Sequence, residues 1–380
     1  MNACLPDIRS AVRIDCHGLA SLIAAIERRG YEVIGPTLKE GAIAYAPIHG
    51  IDDLPIGWTA EQKPASYRLH RRADAAFFGY AAAANSLKDF IHPSEIKLLT
   101  IQRDNGAFRI LPNGQAPPKR AFLGVRACEL AAAQVQDRVL LHDQFIEPIY
   151  QKRRRNAIII AVQCSEPSEV CFCTSMGTGP RARDGFDLAL TEIIVPGTHE
   201  FLIEVGTETG AELLSEVDFS DATQALHDTA RTVTEQAQAR IERRLDTAGL
   251  RDFLRDNFAH PHWDDIAERC LACGNCTQVC PTCFCVNVED STDLTGDTAE
   301  RWRRWDSCFS KDFSYIHGGS VRVSTKSRYR QWLTHKLSYW HDQFSISGCV
   351  GCGRCITWCP AGIDLTQEIP AMRAETGDPR

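Results

Sequence analysis

The chain has 380 residues, enough for two or three domains, and 44% of them are hydrophobic, which excludes global disorder. A formal net charge of −7 argues against a general nucleic-acid binder. Seventeen cysteines is a high and odd number, and their C-x2-C spacing points to metal in a reducing compartment rather than to a disulfide framework.

Residues 1–10 have no basic-then-apolar signal pattern, and no apolar run approaches the roughly 20 residues of a membrane span. A cytoplasmic location without direct membrane insertion is expected. Residues 19–29 have helical periodicity and end at Gly30, and residues 42–48 read as a strand before a Pro- and Gly-rich loop. The alanine-rich stretch 77–90 is predicted helical, residues 98–102 a strand, and Asn113-Gly114 a turn. Residues 121–125 read as a strand, Ala127–Leu141 as a helix and Ala157–Val162 as a second strand, together a βαβ unit with parallel strands. Residues 229–258 carry the clearest helical signal, with Val233, Ala237, Ile241 and Leu245 at i+4 and Gly249 as an interruption. Residues 325–344 are a further helical stretch.

Two cysteine runs share one spacing: Cys270-x2-Cys273-x2-Cys276-x3-Cys280-Pro281 and Cys349-x2-Cys352-x2-Cys355-x3-Cys359-Pro360. Each iron of a [4Fe-4S] cluster takes one thiolate from the protein. The first three thiols of a run wrap one corner of the cube, and the proline sends the fourth towards the other cluster. Cys270, Cys273, Cys276 and Cys359 are therefore assigned to a first cluster, and Cys349, Cys352, Cys355 and Cys280 to a second. Structural zinc fits less well, because it takes two pairs of ligands rather than three plus one with a trailing proline.

Nine cysteines lie outside the runs. Cys128 and Cys164 follow the two strands of the βαβ unit, so both fall at the carboxyl edge where open α/β sheets hold ligands. Cys171-Phe172-Cys173 lies in the loop just after. These four thiols either converge on a third cluster or other metal, or are ordinary buried cysteines, and spacing does not choose. Cys283, Cys285 and Cys308 are expected to line the first cluster's pocket, with ligation as a set of three the alternative. Cys4 and Cys16 have no partner pattern.

Residues 301–336 hold nine Lys or Arg, among them Arg303, Arg328 and Lys336, interleaved with Trp302, Trp305, Phe309, Phe313, Tyr329 and Trp332. The bland reading is a solvated face. Placed between two cluster runs, the same cations would stabilise reduced clusters and raise their potential, or steer an acidic partner.

The chain carries no G-x-G-x-x-G after a strand, no Walker loop, no H-E-x-x-H and no G-x-S-x-G. It offers electron relays without an evident flavin, nicotinamide or substrate site, and no catalytic residue is assigned. The expected fold is α+β. An N-terminal mixed α/β domain spans 1–225, a helical linker 226–269, and a mainly helical two-cluster ferredoxin-like domain 270–380.

Several motifs together resemble one family. They are Gly124-Val125-Arg126-Ala127-Cys128-Glu129-Leu130, the Cys171-Phe172-Cys173 loop, Cys280-Pro281-Thr282-Cys283-Phe284-Cys285, Trp305-Asp306-Ser307-Cys308 and Cys349-Val350-Gly351-Cys352-Gly353-Arg354-Cys355. The resemblance, over about residues 120–365, is to a family of iron–sulfur subunits. It includes the beta subunit of sulfhydrogenases, which are cytoplasmic NAD(P)-linked [NiFe] hydrogenases, and the iron–sulfur subunit of anaerobic sulfite reductases. The resemblance implies two [4Fe-4S] clusters on the eight run cysteines. It also implies two partners in a complex: one subunit that binds flavin and NAD(P), and one catalytic subunit of hydrogenase or sirohaem type. The function expected is electron relay between the clusters and the flavin subunit of a hydrogenase-type complex. The alternatives are the equivalent role in anaerobic sulfite reductase, a self-contained iron–sulfur reductase using the Cys128/Cys164 edge, and a redox-sensing binding module.

Overall fold

The structure, a computed structural model, describes residues 5–104, 106–112, 116–142 and 144–377, so Cys4 and the predicted turn at Asn113-Gly114 lie outside the described residues. The fold is α+β. An eight-stranded mixed sheet runs in the spatial order Ser220–Asp221, Ala11–Asp15, Thr198–Val205, Leu188–Val195, Ala157–Val162, Arg120–Val125, Glu32–Lys39, Ala42–Pro47. At its centre Arg120–Val125 and Ala157–Val162 pair in parallel, with Arg120 opposite Ala157 and Phe122 opposite Ile159. Helix Ala127–Leu141 crosses between them, as the βαβ reading expects. Both strands are apolar along their length because both faces are covered. On one face lies helix Cys16–Arg28, which buries Leu19, Leu22, Ile23 and Ile26 and begins where the Asp15 carboxylate accepts from Gly18 N at 2.8 Å. On the other face Leu130 and Tyr150 pack beside Phe122 and Ile159.

A second, helical core holds Trp263, Tyr329, Trp332, Leu333, Leu337, Ile369 and Met372. Its helices are Leu250–Asp256, His262–Arg269, Thr325–Thr334 and Leu365–Thr376. The predicted stretch 325–344 continues through a π-helical turn at His335–Tyr339 into helix Trp340–Phe344. Between the cysteine runs the chain also forms a hairpin, Val286–Thr292 with Thr298–Trp305. That hairpin joins Glu95–Asp104 and Ala107–Pro112 in a four-stranded antiparallel sheet. Residues far apart in the chain therefore share one sheet, and the hairpin ties the cysteine-rich part to the N-terminal part.

Two helical expectations fail for stated reasons. Among residues 77–90 the helix is confined to Lys88–Ile91 at the segment's end. The carbonyls that a helix would use internally serve two buried arginines instead. Arg126 takes those of Phe78, Tyr80 and Ala81, and Arg354 takes those of Ala83 and Asn85. The stretch 229–258 is not one helix but Gln224–Arg240 and Leu250–Asp256, separated by nine irregular residues. In that gap Arg243 binds the Asp364 carboxylate and the Glu169 carbonyl, and Gly249 holds φ 59° before the next helix. Among the described residues no helix is long and apolar enough to cross a membrane.

Candidate metal centre: three groups of thiols

The sixteen described cysteines form no disulfide. Cys270, Cys273, Cys276 and Cys359 line one cavity, together with Cys355 and the rings of Phe309, Tyr329 and Trp332. Three of these thiols come from the loop after helix His262–Arg269 and the turn Asn275–Gln278, and the fourth returns from the second run. Gly274, at φ 76°, lets the first run reverse here, and the Ser307 hydroxyl sits 3.2 Å from where its Cβ would be. The aromatic wall belongs to the basic stretch 301–336. Its cations are largely engaged with neighbouring groups: Arg303 pairs with Glu147 at 3.0 Å, Lys326 with Asp264 at 2.7 Å, and Arg328 donates to the Phe309 carbonyl at 2.9 Å.

Cys280, Cys349, Cys352 and Cys355 are mutual electrostatic neighbours. Burial pushes the Cys349 thiol up to about 11 and holds Cys355 well above the usual thiol range. Cys280 goes the other way. The Cys283 thiol donates to its sulfur and the Lys336 ammonium lies 3.1 Å away, so the thiolate is favoured despite burial.

The four cysteines outside the runs also converge. Cys128, Cys164, Cys171 and Cys173 line one cavity with Arg126, Pro167, Pro180, Ile241, Gly351 and Cys352. Burial raises Cys128 well above its ordinary value and Cys171 to about 11, the latter opposed by the Ser168 hydroxyl at 3.1 Å. The 171–173 loop is docked on the second run backbone to backbone. Phe172 N donates to Gly351 O at 2.9 Å, and Thr178 Oγ1 donates to Val350 O at 2.6 Å. A Cβ on Gly351 would lie 2.6 Å from the Phe172 and Cys173 backbone, and one on Gly353 would lie 2.5 Å from Val170 O. Only glycine permits this approach at these positive φ angles.

The donor sets fit iron–sulfur clusters in chemistry as well as in number. Each group offers four thiols in a buried setting. Two buried cations also lack a carboxylate partner among the described residues. Arg126 is 2% exposed and donates only to carbonyls, while Lys336 is 5% exposed and faces Cys280. Buried positive charge of this kind is stabilised by nearby negative charge, which thiolate-bound iron would supply.

Cys308 neighbours Cys276, and Cys283 and Cys285 neighbour each other, so these three form a row between the first and second groups. Burial pushes Cys308 up to about 12. Sequence reasoning missed four functional neighbours: Arg126, Glu129, Arg354 and Thr282. Arg354, 1% exposed, pairs with Glu129 and ties the second run to the sheet domain. All four stand inside the motifs quoted above, beside a cysteine. Their position was a signal, although their contacts were not.

This arrangement defines an iron–sulfur protein. Residues 269–363 match the family model of the 4Fe-4S dicluster domain. Over 344 residues the chain is 31% identical to the sulfhydrogenase 2 subunit beta of Pyrococcus furiosus, covering 90% of this chain and 92% of that protein. The chain belongs to this family of iron–sulfur beta subunits, and its chemistry is iron–sulfur electron transfer. No solved structure matches it.

Proposed function

We propose that this chain is the electron-relay subunit of a multi-subunit cytoplasmic oxidoreductase, a NAD(P)-linked [NiFe] hydrogenase. It would stand between a flavin subunit that handles the nicotinamide nucleotide and a subunit that carries the nickel–iron site. Bound [4Fe-4S] clusters supply one-electron acceptance and release. The chain's own residues hold, insulate and tune them. Cys270, Cys273, Cys276 and Cys359 hold the first, Cys280, Cys349, Cys352 and Cys355 the second, and Cys128, Cys164, Cys171 and Cys173 a third. Phe309, Tyr329 and Trp332 keep water from the first site, and Arg126 offsets negative charge at the third.

One observation carries this reading: the second group shares a wall with each of the others. Cys355 also lines the first cavity, and Cys352 also lines the third. Contiguous thiol sites with no catalytic motif beside them suit a relay. The test is capture of the native complex from anaerobic cells, with subunits identified and metals counted. A flavin protein, a nickel-containing protein and about twelve irons on this chain are expected. A sirohaem protein in place of the nickel-containing one would move the assignment to sulfite reduction. An iron-free chain would end it.

A further inference from the structure

The sulfur of Cys280 is served differently from every other thiol described. Lys336 Nζ has three N–H donors, and each has one acceptor: Cys280 Sγ at 3.1 Å, Thr282 Oγ1 at 3.0 Å and Gly348 O at 2.9 Å. Thr282 in turn donates to Gly348 O at 2.7 Å, which closes the seat under the ammonium. The residue is aimed by the π-helical turn His335–Tyr339, a local widening often found at functional sites. The Cys283 thiol adds a second donor to Cys280, and Lys88, 3% exposed, stands near the same two sulfurs.

The other groups have weaker donors. In the first, Cys270 Sγ accepts from Ala272 N and Cys359 Sγ from Ile363 N, each at 3.4 Å. In the third, Cys171 meets the neutral Ser168 hydroxyl, and Arg126 is occupied by carbonyls. A cation hydrogen-bonded to a ligand sulfur stabilises the extra negative charge of a reduced cluster more than neutral donors do.

From these contacts we propose that Lys336, seated by Thr282 and Gly348 and assisted by Cys283, makes the second cluster the highest-potential member of the relay. An electron arriving from either neighbour then rests on the second cluster before it leaves. The Pro-Thr-Cys extension after Cys280 thereby gains a purpose: Thr282 seats the ammonium, and Cys283 donates to the ligand sulfur.

The inference rests on Cys280 and Cys349 holding the second cluster, as proposed above. The experiment is an EPR-monitored redox titration of the full chain purified without oxygen. The second cluster's signal is identified as the one missing in Cys349→Ser. In Lys336→Met its midpoint should move to lower potential while the other midpoints and the iron content stay unchanged. Thr282→Val and Cys283→Ala should give smaller shifts in the same direction. A Lys336→Met protein with full iron and an unmoved second midpoint would overturn the proposal. If that variant loses iron, unmoved midpoints in both Thr282→Val and Cys283→Ala would overturn it. Failure of the underlying ligand reading looks different, because Cys349→Ser would then remove no signal.

Discussion

Arg126 donates to the carbonyls of Phe78, Tyr80, Ala81, Val162 and Gln163 and meets no carboxylate among the ion pairs of the described residues. A buried guanidinium balanced only by dipoles is costly, so its position beside Cys164 argues for thiolates there. Replacing Cys171 with serine should therefore lower iron from about twelve to about eight per chain while the signals of the first two clusters persist. Iron that stays at its starting value in that variant would exclude the third site. His92 offers a separate check, on stability. It is 1% exposed, between the rings of Tyr150 and Trp305, and burial, with Arg303 and Lys88 adding, pushes its pKa down to about 3. The folded protein keeps this imidazole neutral where the unfolded chain would protonate it. Stability is thus intact above pH 6.5 and falls as pH drops towards 3, by about 1.4 kcal/mol per unit. Urea unfolding at pH 7 and pH 5 should show the wild type losing roughly 2 kcal/mol more than His92→Phe, and equal losses would refute the assignment.

At the level of elements, the second cysteine run and the 171–173 loop fold as one unit because glycine lets their backbones touch. Gly353→Ala places a methyl 2.5 Å from Val170 O at φ 76°. The strain should cost about 1–3 kcal/mol. The variant should melt earlier and lose iron from the second and third groups before the first. A first group that empties sooner would show that the docking does not hold the other two. The same contrast between local and distant contacts explains what the sequence revealed. The spacing of the two runs, the βαβ unit ending at Cys128 and Cys164, and the helix capped by Asp15 depend on residues near one another, so they could be read. The irregular course of residues 77–90 could not. Its alanines favour a helix, and only the distant Arg126 and Arg354 take its carbonyls away. Nor could the pairing of Thr298–Trp305 with Glu95–Asp104, since partners about 200 residues apart leave no periodic trace.

Across the whole molecule, the three thiol groups lie in series rather than around a common centre. Cys355 faces the first cavity and Cys352 the third, whereas no cysteine lines both of those cavities. The sheet domain contributes Cys128 and Cys164 at its carboxyl edge, and the helical core contributes the first group. The second run, anchored by Arg354 on Glu129, spans the two. The proposed division into residues 1–225, 226–269 and 270–380 is thus crossed by the relay itself, and neither part would keep all three groups alone. This order predicts magnetic behaviour. In the fully reduced chain the second cluster has a paramagnetic neighbour on either side, so the EPR spectrum should be broadened by spin–spin interaction. Loading Cys349→Ser with iron and sulfide should leave the first and third groups filled but separated by the vacant middle site, and their signals should sharpen towards isolated spins. A broadening that survives in Cys349→Ser would mean that the first and third groups touch directly, and the serial order would have to be abandoned.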